Sequence, residues 1–310
     1  MLMTKRVAII GAGVSGLTCG VVFAERGHRT TIFAEETGAR TTSAAAAAIW
    51  YPYDVEPADK VIAWALESYD VFRQLSQDPR SGVSMIQLRT FSYTGEIAIP
   101  PWATKLGAQA DGTSEFVMTV PLTDTTIYLD YLQRRLTNAG AKINDGTRFD
   151  KLEDVDPAFD LVINCAGFGA KALVRDVDLE PHRGQVAIVQ KFALTSAIAS
   201  NDAPLMYAIP RANDCVFGGT NELSDNRALD PSATSRIVAE CSRVLKIDPP
   251  KVVAERVGLR PFRKSGVRLE SDHMRDGRTV VHNYGHGGAG FTLSWGCALK
   301  VFGLGKATFA

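Results

Sequence analysis

The sequence lacks a charge excess of either sign, with 34 Lys plus Arg against 34 Asp plus Glu in 310 residues. That balance argues against a basic nucleic-acid face and against an acidic solvating tail. It also lacks any C-x-x-C pair. Its five cysteines, Cys19, Cys165, Cys215, Cys241 and Cys297, are far apart, so neither a zinc site nor a redox dithiol is expected. Cys19, Cys165 and Cys297 lie in apolar or glycine-rich surroundings and read as small buried packers. A reducing, cytosolic compartment is then the default, with a Cys215–Cys241 bridge left open. There is no internal repeat and, an alanine run apart, no low-complexity linker. One apolar run stands out, the 18 uncharged residues from Val7 to Ala24 behind Lys5 and Arg6. It superficially fits a secretory leader, but it carries four glycines, offers no clear cleavage site and flows into a second strand pattern. No other stretch is long and apolar enough to span a bilayer. What is present is 45% hydrophobic residues, enough for a large core and for two domains.

The opening run reads as βαβ. Val7 to Ile10 is a β-branched strand, Gly11 to Gly16 a turn, Leu17 to Gly27 a helix closed by glycine, and Thr30 to Ala34 a second strand. Glu35 follows, 24 residues after the first glycine. Gly11 permits the tight turn, Gly13 lets a pyrophosphate approach the backbone, and Gly16 lets helix and strand lie close. The helix start offers N–H groups and a positive dipole end to phosphates. Glu35 is placed to accept hydrogen bonds from an adenosine ribose.

After Glu36 the regular rhythm stops. A helix is expected around Val61 to Leu75, strand-like pieces in FSYTGEIAIPPW, and a helix from Ile127 to Ala139. AKINDG and DLVINCAGFGA read as strands, the latter running to Gly167. GQVAIVQ, LMYAIPR and DCVFGGT alternate like strands of a second sheet, and SRIVAECSRVL reads as a helix. The C-terminal stretch TVVHNYGHGGAGFTLSWGCALKVFGL reads as strand, glycine loop and helix. An enzyme using a nicotinamide dinucleotide usually continues its first half with another strand and helix, which this chain does not. It presents instead a second glycine-rich helix start near Gly290. Two such starts suit one extended dinucleotide, FAD. The second helix would stabilise the charge that develops on the flavin pyrimidine upon reduction. The expected fold class is α/β, a discontinuous Rossmann-like FAD-binding domain with a second α+β substrate domain on a mostly antiparallel sheet. The expected boundaries are 1–53, 127–180 and 255–310 for the FAD-binding domain. Residues 54–126 and 181–254 are expected to form the substrate-binding domain.

The segment VVHNYGHGGAGFTLSWGCA, residues 280–298, resembles the signature of the D-amino acid oxidase family at His282, Asn283, Tyr284, Gly285, Gly287, Gly288, Gly290, Gly296 and Ala298. GAGVSGL, TTSAAAAAIWYPY, VINCAG, RGQV and GLRPFR also match family segments, so the resemblance spans the chain. It implies a flavoprotein that oxidises D-amino acids by direct hydride transfer from the α-carbon to flavin N5. The electrons pass to oxygen, giving hydrogen peroxide, and the imino acid hydrolyses to a 2-oxo acid and ammonia. The implied partners are a D-amino acid and oxygen, with no nucleic acid and no membrane, and a homodimer is left open.

Carried over by resemblance, Arg260 binds the substrate carboxylate, a task suited to a bidentate guanidinium. Arg263 is its rival, read otherwise as a solvated charge. Tyr207 adds its hydroxyl to the same carboxylate, and the carbonyl of Gly288 holds the amine. Tyr51 and Tyr53, with Trp50 nearby, and Ala289 complete the substrate side, Ala289 standing where larger members have an aromatic residue. Their second, lid-borne tyrosine corresponds to Ala203 here, in a short loop, so little gating is expected. His282 and His286 read as structural hydrogen-bonders rather than acid–base groups. The transfer needs a free amine, so the rate should rise with pH.

For FAD the resemblance implies Gly11, Gly13, Val14, Ser15 and Gly16 at the pyrophosphate and Glu35 at the ribose. Arg40, Thr41, Thr42 and Ser43 follow along the phosphates and flavin. Phe149 meets the adenine through its backbone, with Ala166 and Gly167 next. Gly287, Gly290, Phe291 and Thr292 sit at the flavin pyrimidine. At Glu36 many relatives carry a basic residue that helps hold the adenosine end, so the acid here is expected to weaken FAD affinity. The loop 195–206 has no Lys or Arg, which favours neutral or apolar D-amino acids over D-aspartate. Basic substrates would need Asp54 or Asp202 in the pocket. The alternatives are a D-aspartate or glycine oxidase of the same family, an NAD-dependent dehydrogenase, or a non-catalytic nucleotide-binding protein. The last residues, GKATFA, carry no peroxisomal tripeptide, and a cytoplasmic location is expected.

Overall fold

The strands and helices follow the hydrophobic periods, and their order along the chain sets two sheets. In the computed structural model, which describes residues 4–200 and 202–307, the strands are β1 (Arg6–Ile10), β2 (Arg29–Ala34), β3 (Val83–Phe91), β4 (Gln109–Ala110), β5 (Glu115–Thr123), β6 (Lys142–Asp145), β7 (Leu161–Asn164), β8 (Leu179–Gln190), β9 (Ala197–Ser200), β10 (Tyr207–Pro210), β11 (Asp214–Gly218), β12 (Glu222–Leu223), β13 (Val252–Arg263), β14 (Arg268–His273) and β15 (Thr279–Tyr284). The helices are α1 (Val14–Ala24), α2 (Ala58–Leu75), α3 (Pro101–Lys105), α4 (Thr125–Asn138), α5 (Ala170–Leu173), α6 (Pro231–Leu245) and α7 (Gly290–Ala307). Short 3₁₀ turns link several of them.

The first sheet has the order β14-β15-β7-β1-β2-β6 and is parallel except at its β14 edge. Its middle strands are buried on both faces, as expected for a parallel sheet covered by helices. α1 lies against α4 and α7, and α7 in turn packs on α2. The Trp295 indole N–H donates to the Tyr128 hydroxyl at 2.8 Å inside this layer. Burial of side chains such as Phe23, Leu17 and Leu132 stabilises the layer by about 1.5–3 kcal/mol each.

α1 begins at Val14, three residues before the helix read from sequence, because Gly13 already serves as its N-cap. Gly16 is required by close approach: a Cβ there would overlap the carbonyl oxygen of Gly11, and the first turn could not lie on β1. β7 ends at Asn164 rather than Gly167, since residues 167–169 turn into a 3₁₀ helix.

The second sheet runs β12-β8-β11-β10-β9-β3-β5-β4, with β13 paired along β8. Apart from the parallel β3–β9 pair it is antiparallel. FSYTGEIAIPPW does not form strand pieces beyond Phe91, where β3 ends. The chain then turns and enters α3 behind Pro100 and Pro101. The boundary expected at residue 255 also moves. β13 spans Val252–Arg263 and belongs to the second sheet, so the return to the first comes with β14. All five cysteines are free and buried. Among the described residues no helix is long and apolar enough to cross a membrane.

Candidate functional site

A cleft of about 700 Å³ is walled by residues of both sheets. On the first-sheet side, Gly11, Gly13, Val14 and Ser15 present the start of α1, and Glu35 stands just past β2. Thr41, Thr42 and Ser43 line the next stretch, with the Ser43 hydroxyl accepting from the Val14 N–H at 2.9 Å. Phe149, Ala166 and Gly167 continue the wall. Gly287, Gly290, Phe291 and Thr292 bring in the start of α7. A Cβ on Gly290 would meet Val14 at 3.8 Å, so both helix starts open on the same part of the cleft. Thr292 exchanges hydrogen bonds with the Tyr51 backbone, 3.0 Å in each direction, which ties α7 to the aromatic segment.

On the second-sheet side, Arg260 of β13 stands opposite His182 of β8. Its Nη1 donates to the carbonyl of Thr220 at 2.9 Å and to Oδ1 of Asn221 at 3.2 Å, so the guanidinium is held in place. Gly184 makes room for it, since a Cβ there would lie 2.5 Å from the guanidinium. Tyr207 of β10 lies across Gly218, its cross-strand partner, where any side chain would overlap the ring. Burial pushes the Tyr207 phenol up, with Arg260 pulling the other way, and Tyr53 behaves alike. Burial pushes Tyr51 up to about 12. All three are therefore neutral hydroxyls near neutral pH. Tyr53 packs on Gly288, a Cβ on which would meet its ring at 2.5 Å. Tyr51, Tyr53, Tyr207, Arg260 and Gly288 all face the cleft.

Several expected residues lie elsewhere. Gly16 packs beneath the turn rather than on the cleft wall. Arg40 turns away and makes two 3.0 Å contacts with Asp145, because residues 38–40 form a 3₁₀ turn that directs it outward. Ala289 is fully buried, its N–H on the His286 carbonyl at 2.9 Å, and Trp50 is likewise in the core. Arg263 is neither a clamp nor a solvated charge: its Nε meets Asp176 at 2.8 Å, and Tyr284 donates to the same carboxylate at 2.7 Å. Asp54 is 2.8 Å from His182 Nδ1, and Asp202 takes Ser92 and the Tyr93 N–H, so neither serves the cleft.

His282 and His286 are buried, 3.2 Å from the Asn164 amide and 3.0 Å from Asn283 Oδ1 respectively. Burial lowers both to about 4, so both are neutral and structural. The β9–β10 connection is a hairpin closed by the Ser200 N–H on the Met206 carbonyl at 2.8 Å, with Ala203 in its loop. The sequence reading missed Thr220, Asn221, Arg148 and Arg227. Arg148 precedes Phe149 and reaches Glu35 at 3.4 Å, and Arg227 reaches Glu36 at 3.2 Å. No local pattern marks these residues, since pairings distant in sequence bring Arg148 and Arg227 to the cleft and Thr220 and Asn221 to Arg260.

The arrangement suits an extended dinucleotide beside a small carboxylate. It offers two helix starts, a glycine wall without side chains and an acid past β2, with a clamped arginine and a tyrosine at the other wall. The family model described as FAD dependent oxidoreductase matches residues 6–113 and 116–302. The chain is 36% identical to a D-amino-acid oxidase of Rubrobacter xylanophilus, over 99% of this chain and 98% of that protein. It is 38% identical to a D-amino-acid oxidase of Streptomyces coelicolor, over 95% of each. Among solved structures, glycine oxidase from Geobacillus kaustophilus superposes with a TM-score of 0.77 at 20% identity, covering 97% of this chain and 95% of that one.

Proposed function

Because this chain belongs to the family of FAD-dependent oxidoreductases, we propose that it is a D-amino-acid oxidase for neutral and apolar D-amino acids, yielding 2-oxo acid, ammonia and hydrogen peroxide. The observation that carries this reading is the meeting of Arg260, Tyr207 and Tyr53 beside Gly288 on one wall of the dinucleotide cleft. The segments around the first sheet hold the cofactor in this reading, and the second sheet presents the substrate. The five free cysteines agree with a reducing, cytoplasmic setting.

FAD, when bound, supplies the hydride acceptor and the route for electrons to oxygen. The chain's own residues do the positioning. Arg260 takes the substrate carboxylate as a bidentate pair, with Thr220 and Asn221 fixing the guanidinium from behind. The neutral Tyr207 hydroxyl donates to the same carboxylate. The carbonyl of Gly288 receives an amine N–H, which aims the α-hydrogen into the cleft. An ammonium has no lone pair to form the C=N bond as the α-hydride leaves, so the amine must be neutral and the rate rises with pH. No side chain needs to take the α-proton, and both neighbouring histidines are neutral and already hydrogen-bonded.

Tyr207→Phe is expected to raise KM about tenfold with kcat nearly unchanged, since a hydrogen bond to a charged group contributes about 1.5 kcal/mol in ground and transition state alike. Steady-state kinetics with D-alanine decide it. A large fall in kcat at unchanged KM would assign the hydroxyl to the chemistry instead.

The side-chain end of the cleft is apolar, with Ile49, Leu88, Leu205 and Ile209 among its walls. Its arginines other than Arg260 are Arg148 and Arg227, both at the Glu35–Glu36 end. A second substrate carboxylate would be buried without a partner at a cost of several kcal/mol, so D-aspartate should be oxidised at least about a hundredfold less efficiently than D-valine or D-phenylalanine. Anaerobic flavin bleaching across a panel of D- and L-amino acids, with peroxide measured in air, tests the reading. Bleaching by D-aspartate before D-valine would favour the D-aspartate oxidase alternative, and no bleaching by any D-amino acid would refute both.

A further inference from the structure

Glu36 occupies a place where an acid is ill suited to an anionic cofactor. Together with Glu35 and Asp150 it forms a group of three carboxylates at one end of the cleft. Two arginines answer them. Arg148 lies 3.4 Å from Glu35 and 3.9 Å from Asp150. Arg227 reaches Glu36 through Nη1 at 3.2 and 3.4 Å. Arg148 comes from the same side of the cleft, a few residues past β6. Arg227 comes from the loop after β12, so its pair with Glu36 spans the cleft mouth from one sheet to the other.

The loop that carries Arg227 is fixed by a buried guanidinium. Arg183, only 3% exposed, donates from Nε to the carbonyl of Asn226 at 2.9 Å and from Nη2 to that of Ala228 at 2.7 Å. These two carbonyls flank residue 227. Gln185 extends the hold, accepting from Arg183 at 2.7 Å and exchanging bonds with the Asp230 backbone at 2.8 and 3.0 Å. Arg183 and Gln185 belong to the RGQV segment, of which Gly184 and Val186 line the cleft and these two do not. Arg183 has one carboxylate near it, the half-exposed Glu222 at 3.8 Å, and gives its two shortest backbone contacts to this loop, whereas an exposed ion pair such as Arg227–Glu36 adds little to fold stability.

We propose that Arg227 is a cofactor-holding residue, a clasp set by Glu36 and positioned by Arg183, that meets the adenosine-diphosphate half of FAD. A guanidinium's five donors allow it to serve a carboxylate and a phosphate or ribose oxygen together. Glu36 is then an anchor for a cation supplied from the other sheet. The inference rests on the reading that this cleft holds FAD.

The test is equilibrium titration of the full chain, freed of flavin, with FAD, FMN and ADP, followed by flavin fluorescence and by ADP competition. Arg227→Met should raise Kd for FAD and for ADP about tenfold, the equivalent of one lost charged contact, with FMN binding unchanged. Arg227→Lys should recover part of the loss, and Glu36→Gln should cost about threefold through a less fixed arginine. The wild-type preference for FAD should weaken with added salt more than that of Arg227→Met. Equal FAD and ADP affinities in wild type and Arg227→Met overturn the clasp, as does an equal loss for FMN. A wild-type chain that binds no FAD at all instead removes the reading beneath it. Arg227 is largely exposed, so its variants should fold, and unchanged melting without flavin checks this.

Discussion

Arg260→Met is expected to lower kcat/KM for a neutral D-amino acid about a thousandfold while FAD remains bound. Truncating one member of a hydrogen-bonded charge pair in a desolvated site costs about 2–5 kcal/mol, and each 1.4 kcal/mol is about tenfold. The site offers the carboxylate one arginine, held by Thr220 and Asn221 and given room by Gly184, so no neighbouring cation is placed to substitute. Arg263 cannot take over, because it is committed to Asp176 in the segment just before β8. The loss should appear in KM and kcat together, since a substrate without its clamp is also misaligned for transfer. Arg260→Lys should recover only part of the activity, as an ammonium group cannot bind both oxygens in the fixed geometry. Arg263→Met serves as the contrast: it should reduce stability and leave the turnover of D-alanine within a few-fold. Turnover in Arg260→Met within about fivefold of wild type would remove the basis for the substrate assignment.

The parts of this site that were legible in the sequence are those whose constraints are local. Gly11, Gly13 and Gly16 are set by a single turn and the helix it starts, and Gly287 to Thr292 by another. Gly11 and Gly13, and Gly287, Gly288, Gly290, Phe291 and Thr292, line the cleft, while Gly16 lies beneath the turn and Ala289 in the core. The strands β8, β10 and β11 were equally readable, although both of their faces are buried: Val186, Ile188 and Ile209 pack into one core and Ala187, Val189 and Ala208 into another. What escaped depends on pairing between distant segments. The assignment of β13 to the second sheet follows from its register with β8, which no window of either strand encodes. FSYTGEIAIPPW carries a strand-like pattern, yet its tandem prolines start α3 instead. Arg40 followed the motif's position but not its geometry, since the 3₁₀ turn at residues 38–40 points it at Asp145. Arg227 had no motif at all. Its place is visible only once Arg183, 44 positions earlier in the chain, is seen to hold its loop.

Lowering the pH from 7 to 4 should destabilise the FAD-saturated protein by about 6 kcal/mol through His282 and His286 alone, given folded values of about 4 for each. Desolvation is the main cause in both, because each ring is enclosed in the first-sheet layer. Arg268 opposes protonation of His282 further, while Asp272, Glu270 and Asp176 favour it more weakly. An unfolded histidine protonates near 6.5 and these two protonate near 4, so between those values the unfolded chain binds more protons. Stability therefore rises with pH through this window and is fully restored above it. By pH 5 about 4 kcal/mol of it is gone. Urea denaturation midpoints at pH 7, 6, 5 and 4.5, with FAD in excess, measure the loss. His286→Gln should be less stable at pH 7, because a longer amide does not fill the ring's place beside Asn283, yet it should lose only about half as much stability between pH 7 and 5. That change of slope, rather than the stability at any one pH, isolates the titration. A wild-type midpoint that stays flat down to pH 5 would mean that the two imidazoles are solvated in the folded chain, and the structural role assigned to them would fall.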